Sequence, residues 1–413
     1  MSTRALGELR SPPSYRQLLV LDGFARLALA ALCARVALSM GQVTVVLLAL
    51  QQYRSPGLAG VAVCLSIGPG LLLSPLAGAL LDRHQRVALI RVDHVVAASS
   101  LLLIAGLSAV GRLSPWLLLS ALTVSSLTAP LSDTGTRAML PAVVPSRLWD
   151  KANALDSGGY VVASLLGPPL GGVLVASAGP AVAIVTTGAL HASAALAVGG
   201  VADPRRVAAG GGALAGTVLD GLRYVLAHPT LRGLAVSVSL RNIGPGVLVV
   251  ALPALAAQRL HAGPSLIGAL FAVLGLAGVI SGVASGSAST EGRERDLLAG
   301  GIAGSALGLA AVATADTVAQ TIVGMTIIGL STGPLDVSLF SLRQRCTAVT
   351  VQGRAFAVSM ALNYVGLPLG SAIAGPLVQW SAGTALLLAA AVTAVAAALS
   401  LVLLPRPGRR SRQ

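Results

Sequence analysis

The sequence predicts an all-α integral membrane protein of twelve transmembrane helices, built as two six-helix bundles with pseudo-two-fold symmetry. Three observations predict it. Apolar runs of bilayer length recur along 413 residues that are 55% hydrophobic and only 10% charged, with a mean hydropathy of +0.84, whereas soluble domains carry about 25% charged residues. The charges sit in short segments between those runs, so topology explains a net charge of +14 that in a soluble chain would suggest nucleic acid. Finally, motifs of the first half return in the same order in the second.

A helix needs about 20 apolar residues to cross the hydrocarbon core. Residues 1–26 are polar and carry Arg4, Arg10, Arg16 and Arg26; no cleaved secretory signal is expected, because the next apolar run is long and is followed directly by another. Spans are predicted at 27–50, 57–81, 88–111, 115–138, 155–177 and 180–201, then at 233–256, 264–287, 297–315, 317–340, 355–379 and 382–404. Residues 1–200 thus form the first bundle, 201–232 a cytoplasmic linker, and 233–413 the second bundle with a basic tail. The linker opens with Asp203-Pro204-Arg205-Arg206 and a Gly210-Gly211-Gly212 break. From Gly216 to Pro229 it spaces Val218, Leu222, Val225 and Leu226 at helical intervals, as an amphipathic helix on the membrane surface would.

Orientation follows from the basic residues. If both termini are cytoplasmic, every Lys and Arg of the 28 lies in a cytoplasmic segment except Arg54, Arg112 and Arg259 in outer loops and Arg35 and Arg241 within spans. That excess is the positive-inside pattern.

The repeat is read from aligned motifs. Thr128-Ala-Pro-Leu-Ser-Asp133 in the fourth span matches Thr332-Gly-Pro-Leu-Asp336 in the tenth, and Gly167-Pro-Pro-Leu-Gly-Gly172 in the fifth matches Gly366-Leu-Pro-Leu-Gly-Ser371 in the eleventh. Leu58, Gly60, Gly70 and Gly78 fall on Leu266, Gly268, Gly278 and Gly286, and Arg35 falls on Arg241. A duplicated bundle with its site between the halves is a common transporter plan.

Between the second and third spans the chain reads Gly78-Ala-Leu-Leu-Asp82-Arg83-His-Gln-Arg86. Gly78 would let a neighbouring helix approach closely. Asp82 needs a cation or a helix N-terminus, and Arg83 and Arg86 hold the loop on the cytoplasmic side. The pattern Gly-x-x-x-Asp-Arg-x-x-Arg resembles the loop signature of the major facilitator superfamily, although Gln85 and Val87 stand where that family usually has Gly and a basic residue. In the second copy Thr290 and Glu291 occupy the places of Asp82 and Arg83. Gly167-Pro168-x-x-Gly171-Gly172 resembles the superfamily's antiporter motif, lacking only an upstream Gly, where Ala163 stands. Physically, the prolines remove backbone donors and the glycines permit tight helix packing. Arg137-Ala-Met-Leu-Pro141, Ala152-Asn153-Ala154 and Gly221-Leu-Arg-Tyr-Val-Leu-Ala-His-Pro229 further resemble bacterial drug and natural-product exporters. The arginine-bearing fourth-span motif of many proton antiporters is missing.

Other chemistries are excluded. Lys151 is the only lysine, so no phosphate-binding loop with its lysine exists. Gly329-Leu-Ser-Thr-Gly333 matches a hydrolase elbow in letters but lies in an apolar span. The histidines lack metal-ligand spacing, and Cys33, Cys64 and Cys346 form no disulfide framework. His191 reads first as a packed polar residue and second as a proton carrier. Asp93, beside Arg91 and His94, reads as part of the cytoplasmic loop cluster, and Asp156 as an N-terminal helix charge.

What remains is a set of ionisable residues within spans, which usually face a bundle interior or a wet cavity. Arg35, Asp133, Arg241 and Asp336 lie in spans one, four, seven and ten, which the resemblance implies line the central cavity; Gln42, Asn242, Asn363 and Tyr364 are polar cavity candidates. Two arrangements are open: symmetric pairs Arg35–Asp133 and Arg241–Asp336, or a latch of Asp133 with Arg137 or Arg86. The resemblance implies a non-enzymatic, monomeric transporter of a bacterial inner or plasma membrane, exporting a small organic molecule by alternating access. It needs no cofactor or metal and is driven by H⁺. An importer or uniporter of the same fold, and a non-transporting receptor or scaffold, are the alternatives.

Overall fold

The computed structural model describes residues 14–202, 214–287, 291–347 and 352–405. Arg4, Arg10, Arg205, Arg206, the Gly210–Gly212 break, Thr290 and the tail from Arg406 lie outside the described residues, as does the side chain of Asp82. The described residues contain helices and turns and no strand.

Eleven helices are long and apolar enough to cross a bilayer. One of them, Trp149–Gly199, has 51 residues and breaks at Gly179, whose φ of 85° only glycine adopts readily. It supplies the fifth and sixth spans, so the expected twelve crossings are present. The others are Phe24–Tyr53, Pro56–Arg83, Arg86–Ala109 and Pro115–Val143 in the first half. The second half has Pro229–Gln258, Pro264–Gly286, Glu294–Ala313, Val318–Cys346 and Ala382–Leu403 as spans seven to ten and twelve. Span eleven is two pieces rather than one, Gln352–Tyr364 and Gly366–Trp380.

Local chemistry sets the starts. Pro56, Pro115, Pro229 and Pro264 occupy first helical positions, where the missing N–H costs nothing. Ser55 and Ser114 accept from the backbone N–H of Leu58 and Leu117, and Thr317 forms a capping box with Gln320. The linker helix, Leu214–Ala227, turns Val225 and Leu222 onto Leu231, Leu234, Leu298 and Val358 of the second bundle. Its apolar face is therefore held by protein, not by the bilayer surface alone.

The two faces of the molecule differ. One, the terminal face, carries Ser14, Pro405 and the turns at Gln85 and Pro145; the other carries the turns at Arg54, Gly111, Gly179 and His261. Near the terminal face each half has its own core: Phe24, Leu27, Ile90, Met139 and Val198 in the first, Leu231, Leu298, Ile302 and Leu335 in the second. Toward the distal face the cores merge. Val46, Ala59 and Val63 pack with Val250, Leu252 and Val378, and Val43, Leu47 and Val175 pack with Ala256 and Ile267.

Candidate functional site

Glycines show where the halves touch. A methyl on Gly172 of the fifth span would lie 2.5 Å from the Pro264 carbonyl and 3.0 Å from Gly268 Cα of the eighth, and Gly60 of the second span meets the backbone of Ser371 and Gly375 of the eleventh. These contacts seal the distal side. Toward the terminal face, Gly78, Gly158, Gly282 and Gly286 have nothing within 4 Å of such a methyl. The close helix approach expected at Gly78 is absent, since a methyl there meets nothing within 4 Å. Because the cores of the halves merge distally and stay separate toward the terminal face, the cleft between them, where Asp133, Arg137 and Asp336 are exposed, opens to the terminal face and is closed at the other.

The charged residues predicted for spans one, four, seven and ten all lie at mid-depth. Measured from the terminal ends of helices Phe24–Tyr53, Pro115–Val143, Pro229–Gln258 and Val318–Cys346, Arg35, Asp133, Arg241 and Asp336 are roughly 15–18 Å in at 1.5 Å per residue. Their partners differ from both expected arrangements. Arg35 pairs with Asp156: its Nη2 donates to Oδ1 at 2.5 Å and its Nη1 to the Asp156 carbonyl at 2.6 Å. Asp156 is not an N-terminal charge, because the helix begins at Trp149, two turns earlier. Gly159 makes room for the guanidinium, since a methyl there would sit 2.8 Å from Arg35 Nη1.

Tyr160 is the centre of this network. The Arg35 guanidinium lies 3.7 Å from its ring centroid, a cation–π contact. Its hydroxyl donates to Asp133 Oδ1 at 2.7 Å and accepts from Arg137 Nη2 at 2.7 Å. So Asp133 reaches both arginines through Tyr160 rather than pairing with Arg35 or Arg137 directly. Arg86 donates to the Ala138 carbonyl at 3.3 Å, which ties the loop signature to the fourth span. Arg83 is exposed.

The second half is built differently. Arg241 donates to Asn242 Oδ1 at 2.9 Å, and Asn242 Nδ2 donates to the Asn363 carbonyl at 2.8 Å. Asp336 lies within electrostatic reach of Arg241, but among the described residues the two form no ion pair. Arg343, expected in a loop, is fully buried. It donates to Met360 Sδ at 2.7 Å, lies 5.5 Å and 5.0 Å from the rings of Phe340 and Phe356, and stands 2.5 Å from the Asn363 side-chain amide, whose oxygen accepts from it when the amide is oriented to satisfy both its polar ends. Tyr364, at the break in span eleven, is 47% exposed to the cleft. It lies within electrostatic reach of Asp336 and Arg241 on its own side and of Asp133 and Arg137 across the cleft. Gln42 is half-buried and has no side-chain hydrogen bond among the described residues.

The motif Gly167, Pro168, Gly171 and Gly172 packs the fifth span against others. Methyls on Gly167 and Gly171 would lie 2.6 Å from Ser39 Cβ and 3.0 Å from Thr44 Oγ1 of the first span. At the terminal face Arg345 reaches Glu294 at 3.1 Å and Glu291, which stands in the place of Arg83, at 3.6 Å. Asp93 is not in a loop cluster either: it is buried between spans three, four and six.

Sequence reasoning missed Asp156, Tyr160 and Arg343. For the first two a signal existed, since they stand four residues apart on one helical face around Gly158-Gly159. Among the described residues no cluster of His, Cys, Asp or Glu could hold a metal ion.

A family model for transmembrane secretion effectors matches residues 18–411. The chain is 35% identical over 394 residues to an uncharacterized MFS-type transporter of Sinorhizobium fredii, covering 95% of this chain and 97% of that one. It is 25% identical over 355 residues to the multidrug efflux pump Tap of Mycolicibacterium fortuitum, covering 82% of this chain and 85% of the pump. Among solved structures a nucleoside transporter superposes with a TM-score of 0.73 at 11% identity, covering 92% of this chain and 99% of that one. A POT family transporter does so at 0.70, likewise 11% identical, covering 92% of this chain and 95% of that one. These last two likenesses concern the fold alone.

Proposed function

Because the chain belongs to the transmembrane secretion effector family of the major facilitator superfamily, we propose that it is an H⁺-coupled secondary exporter of a small organic molecule, working by alternating access. The observation that carries this reading is the asymmetric cleft. It is open on the face with the basic loops, sealed on the other by Gly60, Gly172 and Gly268, and lined at mid-depth by Asp133, Tyr160, Asp336 and Tyr364. The positive-inside pattern orients the open face to the cytoplasm of a bacterial inner membrane, which makes this a loading conformation for an exporter. Export rather than import draws on the Gly167–Gly172 motif and on the similarity to Tap, which is named a multidrug efflux pump.

In this mechanism the substrate enters between the halves and competes for the polar groups around Tyr160 and Tyr364. Protonation of Asp133 or Asp336 removes a charge that Tyr160 or Arg241 faces, and so changes the relative stability of the two end states. Transition to the outward-open state requires the distal glycine seam to part and the spans at Gly78 and Gly282 to close. The chain does no covalent chemistry.

The test is ethidium accumulation in cells expressing the chain, with and without an uncoupler. Lower accumulation that the uncoupler abolishes is expected. Efflux persisting after collapse of the proton gradient would remove proton antiport, and raised accumulation would favour an importer or uniporter. No change with any of a panel of organic cations and anions would favour a non-transporting receptor.

A further inference from the structure

Behind the cleft, the first half encloses a polar cluster that the network around Tyr160 does not use. Asp93 and His94 of the third span are only 2% and 1% exposed. The His191 ring, from the sixth span, lies 5.7 Å from that of His94. Thr128 of the fourth span donates its hydroxyl to Asp93 Oδ1 at 2.7 Å, and His94 Nδ1 stands 3.6 Å from Asp93 Oδ2. The groups that face Asp93 from the elements packed around it are His94 on its own helix, His191 on the sixth span, and Thr128, Ser132 and Asp133 on the fourth. No arginine or lysine among the described residues pairs with it.

The valences are incomplete. Nδ1 of His94 and Nδ1 of His191 are both buried without a hydrogen-bond partner. A carboxylate removed from water needs a countercharge or a proton, and here only the two imidazoles can supply either. Three titratable side chains on two helices share the hydroxyls of Thr128 and Ser132, and two ring nitrogens have no hydrogen-bond partner. The arrangement is neutral when a single proton is shared among them, either on the carboxyl group or as an imidazolium beside the carboxylate.

We infer that Asp93, His94 and His191 form a proton-binding site inside the first bundle, joined to the cleft through Ser132 and Asp133 of the fourth span. One proton binds and one leaves, with no other bond made or broken. Next along the fourth span from Ser132, Asp133 accepts from Tyr160. A change of charge at Asp93 is thereby felt in the network that holds Arg35 and Arg137. Proton binding stands by itself; its role in coupling rests on the proton-driven reading above.

The chain has five histidines, so ¹⁵N-histidine NMR of the purified full-length protein in detergent can follow each one, assigned by single substitutions. A one-proton step sensed by both His94 and His191 is expected between about pH 5 and 8. Asp93→Asn should remove that step. Thr128→Val keeps the carboxylate and removes its donor; it should move the step by about 0.5–1 pH unit, and it serves if Asp93→Asn does not fold. Both imidazoles fixed in one state across the range, or titrating alike in wild type and Asp93→Asn, would overturn the site. Proton-dependent ethidium efflux without the step sinks the site and keeps the transport reading. The step without proton-dependent efflux keeps the site and sinks the coupling.

Discussion

Each half of the molecule carries an arginine at mid-depth in its first helix, and the two are held in opposite ways. Arg35 has a carboxylate, Asp156, and the face of Tyr160. Arg241 has the amide oxygen of its own neighbour, Asn242, and its Nε is buried without a partner. The repeat explains the difference. The register that sets Gly366 on Gly167 sets Ala355 on Asp156 and Ser359 on Tyr160, so the second half lost both the acid and the ring. Its two arginines, Arg241 and Arg343, are instead linked through Asn242 and Asn363, with sulfur and aromatic rings around Arg343. The duplicated backbone is symmetric; the electrostatics are not. What duplication preserves is helix packing, which constrains nearly every small residue, whereas cleft side chains are free to diverge.

The comparison breaks most easily at the first-half pair. Arg35→Gln and Asp156→Asn should each cost about 3–5 kcal/mol, because each leaves the other charge desolvated and unpaired, and each should abolish transport. In a double-mutant cycle on thermal unfolding the pair should cost at least about 1 kcal/mol less than the sum. Additive effects would show that the ion pair is incidental. Asp133, the partner the repeat suggests for Arg35, should couple to it only when Tyr160 is present.

Arg241→Gln should cost less, about 1.5–3 kcal/mol for one charge-assisted hydrogen bond. A loss equal to that of Arg35→Gln would mean that Asp336 serves as a full partner, and the asymmetry between halves would fail.

The smallest effects compare the two faces. Gly172→Ala forces a methyl against the Pro264 carbonyl and Gly268, so it should destabilise the purified protein by about 1–3 kcal/mol. Gly78→Ala meets open space and should stay within about 0.5 kcal/mol, yet slow efflux if the closed state packs tightly there. Wild-type efflux from Gly78→Ala would show that no helix packs closely on that glycine in the cycle.

Much of this was legible because the bilayer makes it so. Polar backbone and charge are excluded from the hydrocarbon, so the apolar runs mark the spans and the basic loops mark the segments between them. Helix starts were less legible. Reading the fifth span from residue 155 rather than Trp149 placed Asp156 at a terminus, when it is two turns inside a helix. Ending the tenth span at 340 puts Arg343 in the following loop, but the helix continues to Cys346 and turns Arg343 inward and Arg345 outward.

The sequence alone therefore determined the number of crossings, the internal repeat and the family, since each rests on composition or spacing along the chain. Which face of the cleft is open, and who pairs with whom, only the tertiary structure decided. An arginine stem reaches several helices from one position, so Asp133 and Asp156 were both within plausible reach of Arg35. The choice between them was made by Gly159, which leaves space for the guanidinium, and by Tyr160, which takes Asp133 for itself. Likewise His191 stands far from Asp93 and His94 along the chain, and only the packing of spans three, four and six brings them into one buried cluster.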